Sequence, residues 1–511
     1  MTNPIMAILT SLLLISSGVL TGCSTSTNIK AVEKASSYSI PMADNTKLAS
    51  IASPFVSSNP DLTGFYPLDD GQEALMARLA IIHAAEISVD LQYYIYRNDD
   101  TSSLLTYALY QAAERGVRVR ILLDDMQSRN DNAMASLSSH PNIDIRLFNP
   151  FENRDFKLFG FIGDFDRLNR RMHNKALIAD GTFAITGGRN VGDEYFSANG
   201  AIDFGDFDIL TLGEVVPDIA VQFDLYWNSA PSIPVEALVS NITPPSSNDV
   251  EQWEATLRDT FEGSSYTEAL AELPLVKRIL NQAIDFYWGE AELYYDTPSK
   301  VYAPEESTFL MHELGNVIDR VESEFLLISP YFVPTEKGTA TLIRAAENDI
   351  SVTIITNSLA SNDVFAVHGW YSKYREQLLR SGVKIYEVKI DPSVKKNHSW
   401  LGSSRTSLHA KTFIIDRKEV FVGSFNFDPR SAYINTEMGI LLQSPEFSAE
   451  VYKDADLSLS KSTYRLALDE NGDIKWHNDF LGTSYKTEPD ASIWLRMGAW
   501  LSSILPIEDQ L

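Results

Sequence analysis

Two histidines, two lysines and two asparagines recur in this sequence at one spacing. His173, Lys175, Asp180, Gly187, Gly188 and Asn190 follow H-x-K-x4-D-x6-G-G-x-N; His409, Lys411, Asp416, Gly423, Ser424 and Asn426 repeat it with serine for the second glycine. On a strand, residues i and i+2 face one side, so each His and Lys project together. The apolar "ALIA" or "TFII" continues that strand, a turn at Asp180 or Asp416 leads into a second, and the glycines and asparagine return to the same edge. Each copy thus offers an imidazole, an ammonium and an amide at one mouth. Two such mouths face to face put a histidine on either side of one pocket. That set suits substitution at a phosphodiester, whose oxygens cationic and amide donors can hold as charge builds in the transition state. One histidine attacks phosphorus; the other protonates the leaving alkoxide and then takes the proton of the incoming hydroxyl. A lone His-x-Lys on a strand is an ordinary surface pair. The second copy, in the same place within a repeat, is what argues for chemistry.

The elements that must position these residues repeat as well. From about Gly64, "GQEALMARLAIIHAAE" has helical spacing, "ISVDLQYYIY" reads as a strand, "SSLLTYALYQAAERG" as a helix closed by Gly116, and "VRVRILLDD" as a strand. After residue 300, "LGNVIDRVESE", "FLLISPYFVP", "GTATLIRAAEND" and "ISVTIITN" return in the same order. "SVDLQYYIY" sits over "FLLISPYFV", and "AAERGVRVRILLDD" over "AAENDISVTIITNS". Helices alternating with apolar strands predict an α/β fold with mostly parallel pairing. A duplicated unit of roughly 200 residues means two like lobes, not a solenoid. The expected division is a first lobe over 61–245, a linking or covering segment over 246–295, and a second lobe over 296–511 that ends in an amphipathic tail carrying Trp494 and Trp500.

A nucleophilic histidine needs a carboxylate on its other ring nitrogen to fix tautomer and basicity. Aligning "DFDILTLGE" with "NTEMGILLQ" pairs Asp208 with Glu437 and Asp206 with Asn435, which points to Asp208 and Glu437, with Asp206 the rival to Asp208. Arg189 and Arg430, beside the motif ends, are candidates for substrate contact. So is His368, on a helix that follows a strand end, where α/β sites open. Arg167, Arg170 and Arg171 form a basic cluster suited to anionic headgroups. No zinc-type ligand spacing, calcium loop or phosphate-binding loop occurs, so neither metal nor cofactor is expected.

The formal net charge of -27 argues against a general nucleic-acid binder. The only cysteine, Cys23, excludes an internal disulfide. It follows an apolar run from Ile5 to Leu20, nearer a signal-peptide core than a spanning helix, and then "LTGCS". This resembles a bacterial lipoprotein signal: residues 1–22 are removed, Cys23 carries a lipid, and 23–60 form a polar tether on the periplasmic side of a membrane. The alternative is an uncleaved signal anchor; "MTNP" carries no lysine or arginine.

The paired His-Lys-Asp pattern resembles the HKD motif of the phospholipase D superfamily. The resemblance implies two α/β/α sandwich lobes related by a pseudo-twofold axis, sharing one active site. It makes His173 the favoured nucleophile and His409 the acid/base, with Lys175, Lys411, Asn190 and Asn426 on phosphate. Asp180 and Asp416 are expected to hold their turns. "LQYYIYRNDDTS", "RLFNPF", "DFDRLNRRMHNK", "GGRNVGDEYF", "NSLASNDVFAVHGWY", "GSFNFDPRSAYINTEMG" and "SILPIEDQL" are similar to the bacterial cardiolipin synthase C type. That group implies phosphatidyl transfer to phosphatidylglycerol, from phosphatidylethanolamine or a second phosphatidylglycerol, at a membrane surface, with a small accessory protein left open. A hydrolytic phospholipase D shares every one of these residues. A nuclease of the superfamily and a non-catalytic envelope lipoprotein are the other readings.

Overall fold

The strand-forming runs build two sheets of one plan in the computed structural model, which describes residues 32–127, 130–154, 157–198, 203–239, 242–261, 278, 284–390 and 406–511. The first lobe contributes β1 (Thr63–Leu68), β2 (Ser88–Tyr93), β3 (Arg118–Asp124), β4 (Ile143–Phe148), β5 (Ala176–Ala179), β6 (Phe183–Gly187), β7 (Asp203–Gly205), β8 (Asp208–Gly213) and β9 (Ser232–Pro234). The second contributes β10 (Tyr287–Tyr295), β11 (Glu324–Ile328), β12 (Ser351–Asn357), β13 (Lys384–Val388), β14 (Thr406–Leu408), β15 (Thr412–Ile415), β16 (Glu419–Gly423), β17 (Met438–Gln443), β18 (Thr463–Leu468), β19 (Ile474–Asn478) and β20 (Thr483–Tyr485). Through their hydrogen bonds the first sheet runs β1-β8-β6-β5-β2-β3-β4-β9 and the second β10-β17-β16-β15-β11-β12-β13-β18-β19-β20.

The architecture is α/β, but within the two sheets the expected parallel pairing holds for β2-β3-β4 and β11-β12-β13 alone among the described residues, beside the separate parallel pair β7–β14. The motif hairpins β5–β6 and β15–β16 insert beside β2 and β11, and a tight hairpin can pair only antiparallel. The sequence alignment of the two lobes was also one residue out. Val89, opposite Val119 and Ala179, matches Phe325, opposite Val352 and Ile415. β2 is buried on both faces, so no polar alternation marks its register.

Three cores make the layers. The helices Gly71–Ala84 and Asp100–Glu114 cover the outer face of the first sheet, and Leu310–Asp319 and Thr335–Glu347 that of the second. Between the sheets lie Val215–Asn228 and Pro445–Ser462, and here one core is built from both lobes: Ile178, Ala184 and Phe223 pack with Ile414, Val422 and Phe447. Among the described residues three sets of backbone contacts join the lobes: β1 to β10, β7 to β14, and Met172 to Thr436.

Residues 1–22 and Cys23 lie outside the described residues. The described part of the expected tether, 32–60, is not a free linker. Arg118, Arg120 and Arg146 leave the sheet needing acceptors, and the carbonyls of Tyr38, Ser37 and Ala35 accept from them at 2.7, 2.9 and 2.6 Å. Lys47–Ser58 is a helix capped by Thr46. Likewise the stretch read as linker, 246–295, contains a helix, Ser247–Phe261, whose Trp253 donates to Ser103 at 2.8 Å, and β10, a strand of the second sheet.

Candidate active site

Both histidines sit just ahead of a hairpin, where their own lobe is stitched to the other. The backbone N–H of His173 donates to the Thr436 carbonyl at 2.8 Å, and that of His409 to the Gly205 carbonyl at 2.7 Å. Each approach is clamped by the strand end behind it. Asp124 accepts from the Met172 N–H at 2.9 Å. Asn357 accepts from the Leu408 N–H at 3.0 Å and donates to its carbonyl at 2.9 Å. Asp124 and Asn357 occupy matching ends of β3 and β12 and were not picked out from the sequence, although "LLDD" and "IITNS" already lay over one another.

One residue beyond each stitch stands the carboxylate that holds the opposite histidine. Glu437 Oε2 lies 2.8 Å from His173 Nδ1, and Asp206 Oδ2 lies 2.6 Å from His409 Nδ1. The expected partner Asp208 is elsewhere. Gly187 faces Asp208 across β6–β8 and Gly423 faces Gly439 across β16–β17, so Asp206, not Asp208, matches Glu437. Asp208 pairs with the buried Arg78 at 2.7 Å and accepts from the Arg189 N–H at 3.0 Å. The sequence alignment had matched acidic residues and slipped by two positions. Asp296, unnoticed in the sequence, fixes Glu437 from behind: its carboxylate accepts the Glu437 N–H at 2.8 Å and pairs with Lys300.

With Nδ1 engaged, each ring has Nε2 left for a substrate, and the two histidines are close enough for His409 to help lower His173. Lys175 and Lys411 bond the carbonyls of their own motif histidines. Burial, above all, lowers Lys175 to about 7 and Lys411 to about 8. Asn190 Oδ1 accepts from the Ile95 N–H at 3.2 Å, while its Nδ2 and the Oδ1 of Asn426 are buried with no hydrogen bond. Buried polar atoms without partners at a pocket are what a polar ligand would satisfy. Tyr94 stands edge-on to His173 at 4.9 Å, and Tyr195 and Phe204 flank His409 at 5.3 and 5.4 Å.

The two halves differ electrostatically. Burial and the two lysines hold His173 well below its ordinary value. His409 is also lowered by burial and Lys411, but Asp206 opposes the shift. Burial pushes Asp206 up, yet His409, Lys411 and Arg189 outweigh it and keep the carboxyl well below the usual range. Glu437 goes the other way, raised by burial to about 7. A packing difference accompanies this. Ser424 donates to Glu437, whereas a Cβ added at the matching Gly188 would fall 2.1 Å from Asp206 Oδ1. The shorter carboxylate comes with the missing side chain.

Residues 79–213 and 314–456 match the family model described as "Cardiolipin synthase, PLD-like domain". The chain is 38% identical over 469 residues to cardiolipin synthase C of Escherichia coli (strain K12), covering 90% of this chain and 99% of the relative. It is 25% identical to a cardiolipin synthase of Listeria monocytogenes, over 78% of this chain and 69% of that one. The chain belongs to the phospholipase D-like cardiolipin synthase family. A crystal structure of phosphatidylserine synthase from Haemophilus influenzae Rd KW20 superposes with a TM-score of 0.58 at 12% identity, over 90% of this chain and all of the other, and so shares the two-lobed fold. The chain is an enzyme of the phospholipase D-superfamily phosphatidyltransferase type.

Other expected site residues of this phospholipase D-like chain fall outside the pocket. Arg189 is fully buried and gives its guanidinium to the carbonyls of Leu68, Asp69, Tyr195 and Asp206 and, at 3.4 Å, to the Asp208 carboxylate, leaving nothing for a substrate. Arg171 is buried against Asp124 and the Asn149 carbonyl, and Arg167 pairs with Asp164, so the basic cluster is not a free surface. Arg430 binds Asn169 at 2.6 Å across the lobes and is near enough to Tyr94 to oppose the upward shift that burial gives its hydroxyl. His368 joins a separate buried cluster with Glu488, at 3.2 Å. His368, Glu387 and Glu488 come close enough to suggest a cation site, but Arg375 already pairs with both carboxylates, at 2.9 and 2.6 Å. Asp180 and Asp416 lie at the far turns of the hairpins. Each has φ near 50° and accepts from three successive backbone N–H groups, those of Glu86, Ile87 and Ser88 or of Glu322, Ser323 and Glu324.

Proposed function

We propose that this chain moves a phosphatidyl group from phosphatidylethanolamine or phosphatidylglycerol to the glycerol hydroxyl of a phosphatidylglycerol, giving cardiolipin. The observation that supports the mechanism is the exchange of carboxylates between lobes, which occupies Nδ1 of both histidines and keeps Nε2 of each for phosphorus or a proton. His173, held neutral by burial, attacks phosphorus through Nε2. The bond to the donor headgroup oxygen breaks, and His409, protonated and balanced by Asp206, gives that oxygen its proton. The phosphatidyl–His173 phosphoramidate is then opened by the acceptor hydroxyl, whose oxygen bonds phosphorus as the P–N bond breaks and whose proton goes to His409. Lys175, Lys411, Asn190 and Asn426 hold the nonbridging oxygens. The incoming phosphodiester anion restores full charge to lysines that burial has weakened.

The same intermediate opened by water gives phosphatidic acid, so hydrolysis is the rival outcome. Mass spectrometry of products from full-length protein with defined vesicles decides. Cardiolipin from phosphatidylglycerol is the expected product, and phosphatidic acid alone would defeat transfer. Omitting phosphatidylethanolamine identifies the donor. Among the described residues no helix is long and apolar enough to cross a membrane. The lipobox-like "LTGCS" supports a lipid on Cys23 and a site on the periplasmic side. Loss of membrane retention on Cys23→Ala would test this.

A further inference from the structure

Two stretches, one from each lobe, leave large apolar side chains in solvent. In the first lobe Lys157–Leu168, bent at Ile162–Asp164, exposes Phe159 (64%), Ile162 (79%) and Phe165 (50%). In the second, the tail helix Ile493–Ser503 and the turn after it expose Trp494 (73%), Trp500 (60%), Ile504 (61%) and Leu505 (51%). Scattered exposed apolar residues are normal; clusters of large ones mark an interaction surface. Each stretch already uses another face for packing. Phe161 meets Phe151 at 5.5 Å, and Ala499 and Ser502 press so closely on Gly369 that a Cβ there would lie 2.2 Å from the Ala499 carbonyl.

The two stretches meet beside the site. Asn169, just after the first, donates to Gln510 near the end of the second at 2.7 Å. Arg430 joins both, through the Asn169 side chain at 2.6 Å and, from its backbone N–H, the Leu511 carbonyl at 2.7 Å. Arg430 in turn neighbours Tyr94, the ring against His173.

We propose that these stretches form one docking surface for a phospholipid bilayer, placed so that headgroups reach the two histidines. It rests on the phospholipid reading of the site. The net charge of -27 gives an anionic membrane nothing to attract, so apolar insertion has to supply the binding. Of the nearby cations Lys157 pairs with Asp125 and Arg167 with Asp164, while Arg170, Lys373 and Arg496 spend donors on the carbonyls of Lys300, Ser503 and Glu488. Paired tryptophans beside aliphatic residues suit the layer between headgroups and acyl chains. Binding through this surface therefore rests chiefly on apolar burial and changes little with salt.

The apolar N-terminal run can itself hold the full chain on vesicles, so the test must be local. Hydrogen exchange followed by mass spectrometry compares the full chain with and without phosphatidylglycerol–phosphatidylethanolamine vesicles, at low and high salt. Exchange slowed roughly tenfold in both 157–168 and 493–505, alike at both salts, is expected. Unchanged exchange in these stretches while the chain is vesicle-bound overturns the proposal and leaves the surface to a protein partner. Ile162→Asn and Trp500→Ser with Ile504→Ser are expected to lower turnover on vesicles roughly tenfold. They should leave turnover of monomeric dibutyryl-phosphatidylglycerol as in the wild type. Undiminished turnover on vesicles counts against the surface. So does equal loss on both substrates, the wild-type exchange being free of any folding defect. If the wild type turns over neither substrate, the transfer reading fails, and the exchange still decides the docking surface.

Discussion

Asp206 of the first lobe holds His409 of the second, Oδ2 to Nδ1 at 2.6 Å, while Asp208, two residues on, faces Arg78 instead. Both are fully buried carboxylates on one strand edge, and they separate function from stability. Asp206→Asn leaves the fold's ion pairs intact but takes from His409 the acceptor that fixes its tautomer. Turnover should fall on the order of a hundred- to ten-thousandfold with little change in Tm. Asp208→Asn strands Arg78 in the core and should cost about 3–5 kcal/mol of stability. Paired measurements of kcat and thermal unfolding check both; the reverse assignment of effects would sink the role given to Asp206.

What could be read in the sequence was what the duplication states twice. Both HKD motifs, the α/β class and the two lobes followed from residues that recur at equal spacing. Features set by strand register did not. β2 and β8 are buried on both faces, so nothing in their polarity marks a shift of one or two residues, and Asp208 was preferred to Asp206 for that reason. Arg189 looked available because it borders the motif. Only the fold shows the four carbonyls that consume its donors. The swap of carboxylates between lobes also lies beyond pattern reading, since no spacing in one chain says which lobe a side chain crosses to.

The pH profile should reveal which half is the nucleophile. His173 presents a basic Nε2 only when Nδ1–H donates to ionised Glu437. Burial raises Glu437 to about 7, so kcat/KM should climb as pH rises through that value. Lys175 and Lys411, lowered by burial to about 7 and about 8, are charged only below those values, so kcat/KM should turn over close to pH 7 and fall above it in a narrow bell. Bound phosphodiester raises both lysines, so the alkaline limb left in kcat should be that of His409, which must be protonated to act as the acid. Glu437→Gln should abolish the acid limb at much reduced rate. A profile unchanged in that variant would remove Glu437 from the role of His173's partner.

Gly188 and Asp206 are coupled choices, as are Ser424 and Glu437. A serine at 188 puts its Cβ into the Asp206 carboxylate and should cost about 1–3 kcal/mol and most of the activity. Adding Asp206→Glu rebuilds the arrangement of the other lobe. The double variant should therefore be more active than Gly188→Ser alone, a coupling that a double-mutant cycle measures. Strictly additive losses would show that the two positions act independently.

The aspartates of the motif should prove structural although they are part of its signature. Asp180 is buried and collects three backbone N–H groups from the residues leading into β2. Asp180→Ala leaves those donors without an acceptor and should destabilise by about 1–3 kcal/mol. The hairpin's other end, where His173 and Lys175 lie, is pinned independently by Asp124 and by the Thr436 carbonyl. Below the variant's unfolding temperature kcat should therefore stay within a few-fold of wild type. Urea unfolding and steady-state rates on one preparation test this, and a drop in kcat comparable to that of Asp206→Asn, with stability intact, would place Asp180 in the chemistry after all.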